Sequence, residues 1–281
     1  MARPSDRAAC PDRSELKLNI DYLEVSAFTT TPGQGNAAGV CELAAWPDED
    51  TLSRLAREIA MPVTSCIVRR QGRLELRWLS RSGAPVRSMC GHGTLAASFA
   101  VSLADPSAVD FTFETPSGPV PVRRRDDVFY LELPRWNAKA MPAWPALAEA
   151  LRHTPAEVLD GGRDVIAVFA DENEVRGLVP DMAKLLALGH RGFIATASGR
   201  RHDCVSRFFC PSFGLGVDED PVTGSAHCAI APLWAERLGK KVLRAYQASP
   251  AGGELICEVR DQSVVIGAKA ALQARRSVSL P

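Results

Sequence analysis

Apolar and polar positions alternate along much of this chain, with the period of two that belongs to strands buried on one face. Asp21 to Phe28 shows it first, followed by Ala37–Leu43, Thr64–Arg69, Leu74–Leu79 and Val109–Glu114. Thr29 to Asn36, rich in Pro and Gly, predicts the loop between the first two. One segment in this half follows a helical period. Pro47–Ala60 puts Leu52, Leu55 and Ile59 on one face behind an acidic first turn, which predicts an amphipathic helix. Beyond Thr115-Pro116-Ser117-Gly118-Pro119, Val120–Arg124 and Val128–Leu133 read as a hairpin. Pro145–Arg152 and Pro155–Leu159 predict short helices, each opening at a proline. Val165–Ala170 predicts a strand, and Met182–Leu188 a helix stopped by Gly189. Phe193–Ala197, Asp203–Cys210, Val242–Gln247, Gly253–Arg260 and Ser263–Ile266 complete a strand-rich second half.

Two stretches break the alternation in the same way. Ser88-Met89-Cys90-Gly91-His92-Gly93-Thr94 is a polar loop that opens into the small, apolar run Leu95–Ala100. Asp218-Glu219-Asp220-Pro221-Val222-Thr223-Gly224-Ser225 opens likewise into Ala226–Ala231. A helix that is apolar all round is buried. Its N-terminus still offers unpaired backbone N–H groups and a partial positive charge, which suit a carboxylate or phosphate. Pro221 favours an extended Asp220, Gly224 permits a close turn, and Thr223 or Ser225 is placed to cap the second helix. The two halves thus repeat one order of strands, glycine loop and buried helix. The fold class expected is α+β, with a first domain at 18–117, a second at 118–281 whose C-terminal strand has the option of returning to the first, and a flexible extension at 1–17.

Composition narrows the function. Of 281 residues, 46% are hydrophobic, enough for a sizeable core. The 33 basic and 33 acidic residues cancel, with no like-charge block, which argues against nucleic acid or an anionic membrane as partner. No apolar run reaches the ~18 residues of a membrane span, and Met1–Lys17 lacks the apolar core of a signal peptide. Eight cysteines, none in a Cys-x-x-Cys pair, read as free thiols of a cytoplasmic protein without a zinc knuckle.

The segments CGHGTLAAS (Cys90–Ser98) and EDPVTGSAHCAIAPLWAERLGK (Glu219–Lys240) resemble the signatures of the phenazine-biosynthesis (PhzF-type) isomerase family. Gly35-Asn36, Val205-Ser206-Arg207-Phe208-Phe209, Gln247-x-Ser249 and Gly252-Gly253 extend the resemblance over about Asp21 to Leu272. It implies the fold of diaminopimelate epimerase: two pseudo-symmetric halves, each a curled, mostly antiparallel sheet around a central buried helix. It also implies proton transfer at a carbon conjugated with or next to a carboxylate, with no metal, flavin or nucleotide.

Carried onto this chain, the resemblance makes His92 and Asp220 catalytic, with Cys90 as a further candidate. Racemases of this fold use two cysteines; Cys90 matches the first, whereas the second loop has Asp220-Pro221. PhzF-type enzymes use a glutamate in a segment that reads Ala60-Met61-Pro62-Val63-Thr64 here, so Val63 stands where the glutamate would be. An acid and a proline before the first glycine loop are replaced by Val86-Arg87-Ser88, and an arginine before Gly252-Gly253 by Ala251. Gly91, Gly93, Gly224, Thr223 and Ser225 are expected to hold a substrate carboxylate, Asn36 to orient a substrate amine or hydroxyl, and Thr64 to hold a water. The expected function is a cofactor-independent proton shift on a small unsaturated acid, such as an alkyl-proline precursor in antibiotic biosynthesis, by a homodimer. An epimerase using Cys90 and Asp220 and a non-catalytic binding protein are the alternatives.

Overall fold

The computed structural model describes residues 18–189, 191–213 and 216–280. The expected extension at 1–17 lies outside them. The first half runs β1 (Leu18–Ala27), β2 (Asn36–Leu43), α1 (Glu49–Ile59), β3 (Val63–Arg70), β4 (Arg73–Ser80), β5 (Pro85–Val86), α2 (Gly91–Ala104) and β6 (Asp110–Thr115). It continues through β7 (Gly118–Arg125), β8 (Val128–Pro134), β9 (Lys139–Met141), α3 (Pro145–Leu151), β10 (Glu157–Asp160), β11 (Val165–Val168), α4 (Glu172–Gly177) and α5 (Met182–Ala187). The chain closes with β12 (Phe193–Ser198), β13 (Cys204–Phe209), β14 (Glu219–Asp220), a 3-10 turn (Gly224–Ala226), α6 (His227–Leu238), β15 (Val242–Gln247), β16 (Gly253–Val259), β17 (Ser263–Ala268) and β18 (Ala270–Leu280).

Most strand pairs are antiparallel; β2–β3, β4–β6, β11–β12 and β13–β15 are parallel. The 115–119 punctuation forms the turn of the β6–β7 hairpin, where Thr115 pairs with Gly118. The C-terminal β18 lies antiparallel to β1 along its whole length, from Leu18↔Leu280 to Ala27↔Ala270. Helix α2 packs on β1, β2 and β3, and α6 on β15, β16 and β17. Residues 227–232 of α6 are all buried, as are Thr94–Ser98 of α2, which is why neither needs a polar face. Both helices belong to one large apolar cluster with Val25, Leu131 and Ile266, so the halves share a core.

The amphipathic helix α1 is capped by Asp48, whose side chain accepts from the Thr51 N–H at 2.8 Å, and ends on Ala60 in the left-handed conformation. It covers a smaller outer cluster of Leu52, Leu55 and Ile59 with Cys41 and Cys66. The helix expected at Pro155–Leu159 is instead strand β10. Five residues are too few to nucleate a stable helix, whereas Val158 and Leu159 are buried by pairing with Ala167 and Ile166 of β11. Among the described residues, all seven cysteines are free and buried. Burial pushes the Cys204 and Cys228 thiols up to about 12, so they pack as small apolar groups. Among the described residues, no helix is long and apolar enough to cross a membrane.

Candidate active site

The two glycine loops meet. A Cβ placed on Gly91 would come within 3.4 Å of the Gly224 Cα, and one on Gly224 within 3.7 Å of the Gly91 Cα. The two helix starts thus lie in van der Waals reach of each other. Between them lies a cavity of about 100 Å³ lined by Val63, Cys90, Gly91, His92, Arg163, Phe208, Asp220, Thr223, Gly224 and Ser225, among others. Neither helix start is capped by a side chain. Thr223 is at the N-cap position, but its hydroxyl turns to Asp220, and Ser225 accepts from Arg163, so neither caps the helix as the sequence suggested. Among the described residues, the N–H groups of Gly91, His92, Gly224 and Ser225 have no protein acceptor, leaving them for an anion.

Asp220 is 9% exposed and both its oxygens are held. Asn36 Nδ2 donates to Oδ1 at 2.7 Å, and Thr223 Oγ1 donates to Oδ2 at 2.6 Å. Asn36 Nδ2 also donates to the Val222 carbonyl at 2.9 Å, which fixes the amide orientation. Gln247 completes the frame: its Nε2 donates to the Asp220 carbonyl at 2.7 Å and its Oε1 accepts from the Thr223 N–H at 2.8 Å. Ser249 donates to the Pro221 carbonyl at 2.7 Å. The Gln247-x-Ser249 pair seen in the sequence is thus the rear brace of the second loop. Gly252-Gly253 has a packing role, since a Cβ on Gly253 would meet Val222 Cγ2 at 2.4 Å and Phe28 Cβ at 3.1 Å. Phe28, at a φ of 66° that a bulky residue rarely adopts, sets its ring against Gly224.

Each carboxylate oxygen retains a second lone-pair direction beyond these bonds. Burial raises the Asp220 pKa above the ordinary carboxylate value; His92, Thr223, Asn36 and Arg163 oppose the rise without cancelling it. For His92, burial alone would lower the pKa. The Cys90 sulfur, 3.8 Å from Nδ1, and the Asp220 carboxylate outweigh it and raise the value to about 9. With Nδ1 turned to Cys90, the buried Nε2 has no partner among the described residues. That nitrogen is the ring's free position for substrate. His227, by contrast, lies inside α6 with Nδ1 on the Thr223 carbonyl at 2.9 Å, and burial lowers its pKa to about 4. It is a neutral packing residue.

The cavity therefore brings together Cys90, Gly91, His92, Asp220, Thr223, Gly224 and Ser225. Asn36 stands behind Asp220 and reaches the site through it. Gly93 faces away, packed where a Cβ would meet Trp78 Cδ1 at 2.8 Å and Ser65 Oγ at 2.9 Å. Thr64 is buried with an unpartnered hydroxyl, yet it is not part of the cavity wall. Val63 is part of the wall and 2% exposed, and it contributes apolar surface there. Sequence reasoning missed Arg163, whose guanidinium donates to Ser225 Oγ at 3.0 Å. It sits in a Gly-Gly-Arg-Asp turn (161–164) with no motif around it; only the fold brings it across to a residue 62 positions away.

Residues 25–276 match the family model described as phenazine biosynthesis-like protein. An uncharacterized isomerase of Pseudomonas aeruginosa is 41% identical over 257 residues, covering 91% of this chain and 97% of that one. A second uncharacterized isomerase of the same organism is 36% identical over 264 residues, covering 94% of this chain and all of its own length. Among solved structures, a PhzF-family phenazine biosynthesis protein of Enterococcus faecalis superposes with a TM-score of 0.88 at 36% identity, over 94% of this chain and 100% of that one. With a signature pair at two abutting helix starts and agreement along almost the full length, the chain belongs to the phenazine biosynthesis-like (PhzC-PhzF) family, with its diaminopimelate epimerase-like α+β fold.

Proposed function

We propose that this PhzF-like isomerase moves a proton, and with it a double bond, within a small unsaturated carboxylic acid of specialised metabolism, using Asp220 as base and His92 as acid. The observation that carries the reading is the buried Asp220 carboxylate beside a histidine whose pKa is raised to about 9, at a cavity flanked by two uncapped helix starts. The substrate carboxylate lies against the N–H groups of Gly91, His92, Gly224 and Ser225. Asp220 removes a proton from the carbon at the far end of the conjugated system. The C–H electron pair moves toward the carboxylate, whose growing charge the N–H groups stabilise. His92 Nε2–H then delivers a proton to the carbon adjacent to the carboxylate. One proton leaves, one returns, and no electron acceptor is needed. Incubation in D2O with unsaturated amino and carboxylic acids tests this, read by NMR. Deuterium at one carbon with double-bond migration is the expected result; binding without exchange at any carbon would refute it.

The 3.8 Å approach of Cys90 to His92 favours one other reading, an epimerase in which that thiol faces Asp220 across the substrate. Exchange with inversion and no migration would establish it. On the isomerase reading, Cys90→Ala keeps substantial activity, because the sulfur acts only through the imidazole, by holding it and raising its pKa.

The pH profile follows from the two shifts. Below the raised pKa of Asp220 the base is protonated, and above about 9 the imidazolium has lost its proton. A bell in kcat/KM is expected, with its acid limb above the ordinary carboxylate range and its alkaline limb near 9; both limbs belong to the coupled pair. Because the Cys90 sulfur is the leading contribution that raises His92, Cys90→Ala should move the alkaline limb to lower pH. An unmoved limb would remove Cys90 from the pair.

A further inference from the structure

Arg163 lies on the cavity wall opposite the role usually given to an ion-paired surface arginine. Its Nε and Nη2 hold Asp164 Oδ2 at 2.9 and 2.6 Å, and Asp164 is 1% exposed, so the guanidinium is anchored on a buried carboxylate. Trp136 and Phe208 lie 5.4 and 5.8 Å from its central carbon, over their ring faces. The remaining engaged N–H is on Nη1, which donates to Ser225 Oγ at 3.0 Å. Arginine has no acceptor, so Ser225 accepts here and its hydroxyl hydrogen is free to point at the bound carboxylate. Three of five N–H groups are thus used, and the other two have no acceptor among the described residues. A fixed cation with free donors, walled by aromatic rings, is a preorganised receptor for a planar anion.

We infer that the substrate is a small dianion, whose second carboxylate binds Arg163 while the first sits on the helix starts. The inference rests on the isomerase reading above and narrows its substrate class. Arg163 Nη1 lies 3.0 Å from Ser225 Oγ at the second helix start, so the two acid groups are only a few bonds apart. A substrate amine at this end would meet guanidinium donors that offer it no acceptor, which disfavours the alkyl-proline type of substrate and favours a short unsaturated diacid.

Calorimetric titration with succinate and butyrate, equal in chain length and differing by one carboxylate, tests the point. The unmodified protein should bind succinate about 10- to 100-fold more tightly, the range for a charge-assisted hydrogen-bonded pair. Arg163→Gln should abolish that preference, read as the ratio of the two affinities within each protein because Arg163 also orients Ser225 toward the first carboxylate. Should Arg163→Gln fail to fold because Asp164 is left unpaired, the double variant Arg163→Gln/Asp164→Asn removes both charges together and carries the same expectation. Equal affinity of the unmodified protein for the two acids, or a preference that survives in either variant, overturns the inference. The two readings fail separately. A diacid preference without deuterium exchange on any unsaturated acid leaves the dianion site standing and sinks the isomerase; exchange on monoacids with no preference does the reverse.

Discussion

Asp220→Asn is expected to lower kcat by about 10²–10⁴-fold, the range for loss of a general acid or base, while leaving the protein as stable as before or slightly more so. The two halves of that statement have one cause. Asp220 is buried, and its raised pKa means that the native state disfavours the ionised group relative to the unfolded chain. The sign is fixed: above the raised pKa both states are ionised, and there the folded state carries the full desolvation cost. An amide of the same shape removes that cost. It can accept from Asn36 through its oxygen and donate to Thr223 Oγ1, a hydroxyl that can rotate to accept. The frame from Gln247 to the loop backbone is untouched. Steady-state kinetics with thermal denaturation on the same samples checks both. Near-normal turnover in Asp220→Asn, together with a dead Cys90→Ala, would transfer the base to the thiol and favour the epimerase.

How much of this was legible in the sequence depends on which forces acted locally. Helices α2 and α6 could be read because small apolar residues on every side leave no alternative to burial. Strands such as β3 and β13 could be read because their runs are apolar or alternating. Strand β18 was less legible as a ladder eleven residues long: Arg275, Arg276 and Gln273 are exposed or half-exposed, and pairing with β1 holds it more than any apolar pattern of its own. Helix α4 was missed because six residues carry little periodicity; Asp171, which accepts from the Asn173 and Glu174 N–H groups, is its cap. At the site, the glycines, His92 and Asp220 stood out through local motifs. The partnership of Asn36 with Asp220 spans 184 positions and that of Arg163 with Ser225 spans 62, and no local pattern encodes either. Asn36, expected to orient substrate, donates its amide N–H to Asp220.

Val63→Glu is expected to abolish most activity and to cost about 1–3 kcal/mol of stability, although it restores the residue that the family resemblance places there. Val63 is 2% exposed, belongs to the main apolar cluster and forms part of the cavity wall. A longer, polar side chain there enters a space of about 100 Å³ and takes room from the substrate. Left without a hydrogen-bond partner, a buried polar group costs roughly 1–3 kcal/mol by protein mutational measures. If it points into the cavity, it meets the Asp220 carboxylate in the same enclosed site, and two such groups cannot both ionise freely. One proton must then be held between them, so the base is withdrawn near neutrality and the acid limb of the pH profile moves up. Val63→Gln separates the two effects, since it carries the bulk without the charge. If bulk dominates, Gln and Glu are equally inactive; if charge dominates, Gln is the milder change and only Glu moves the acid limb. Kinetics across pH on the three proteins, with denaturant unfolding for stability, makes the comparison. A marked gain in rate for Val63→Glu would show that the proton still takes the family's route through position 63, and that Asp220 and His92 alone are a weakened remnant of it.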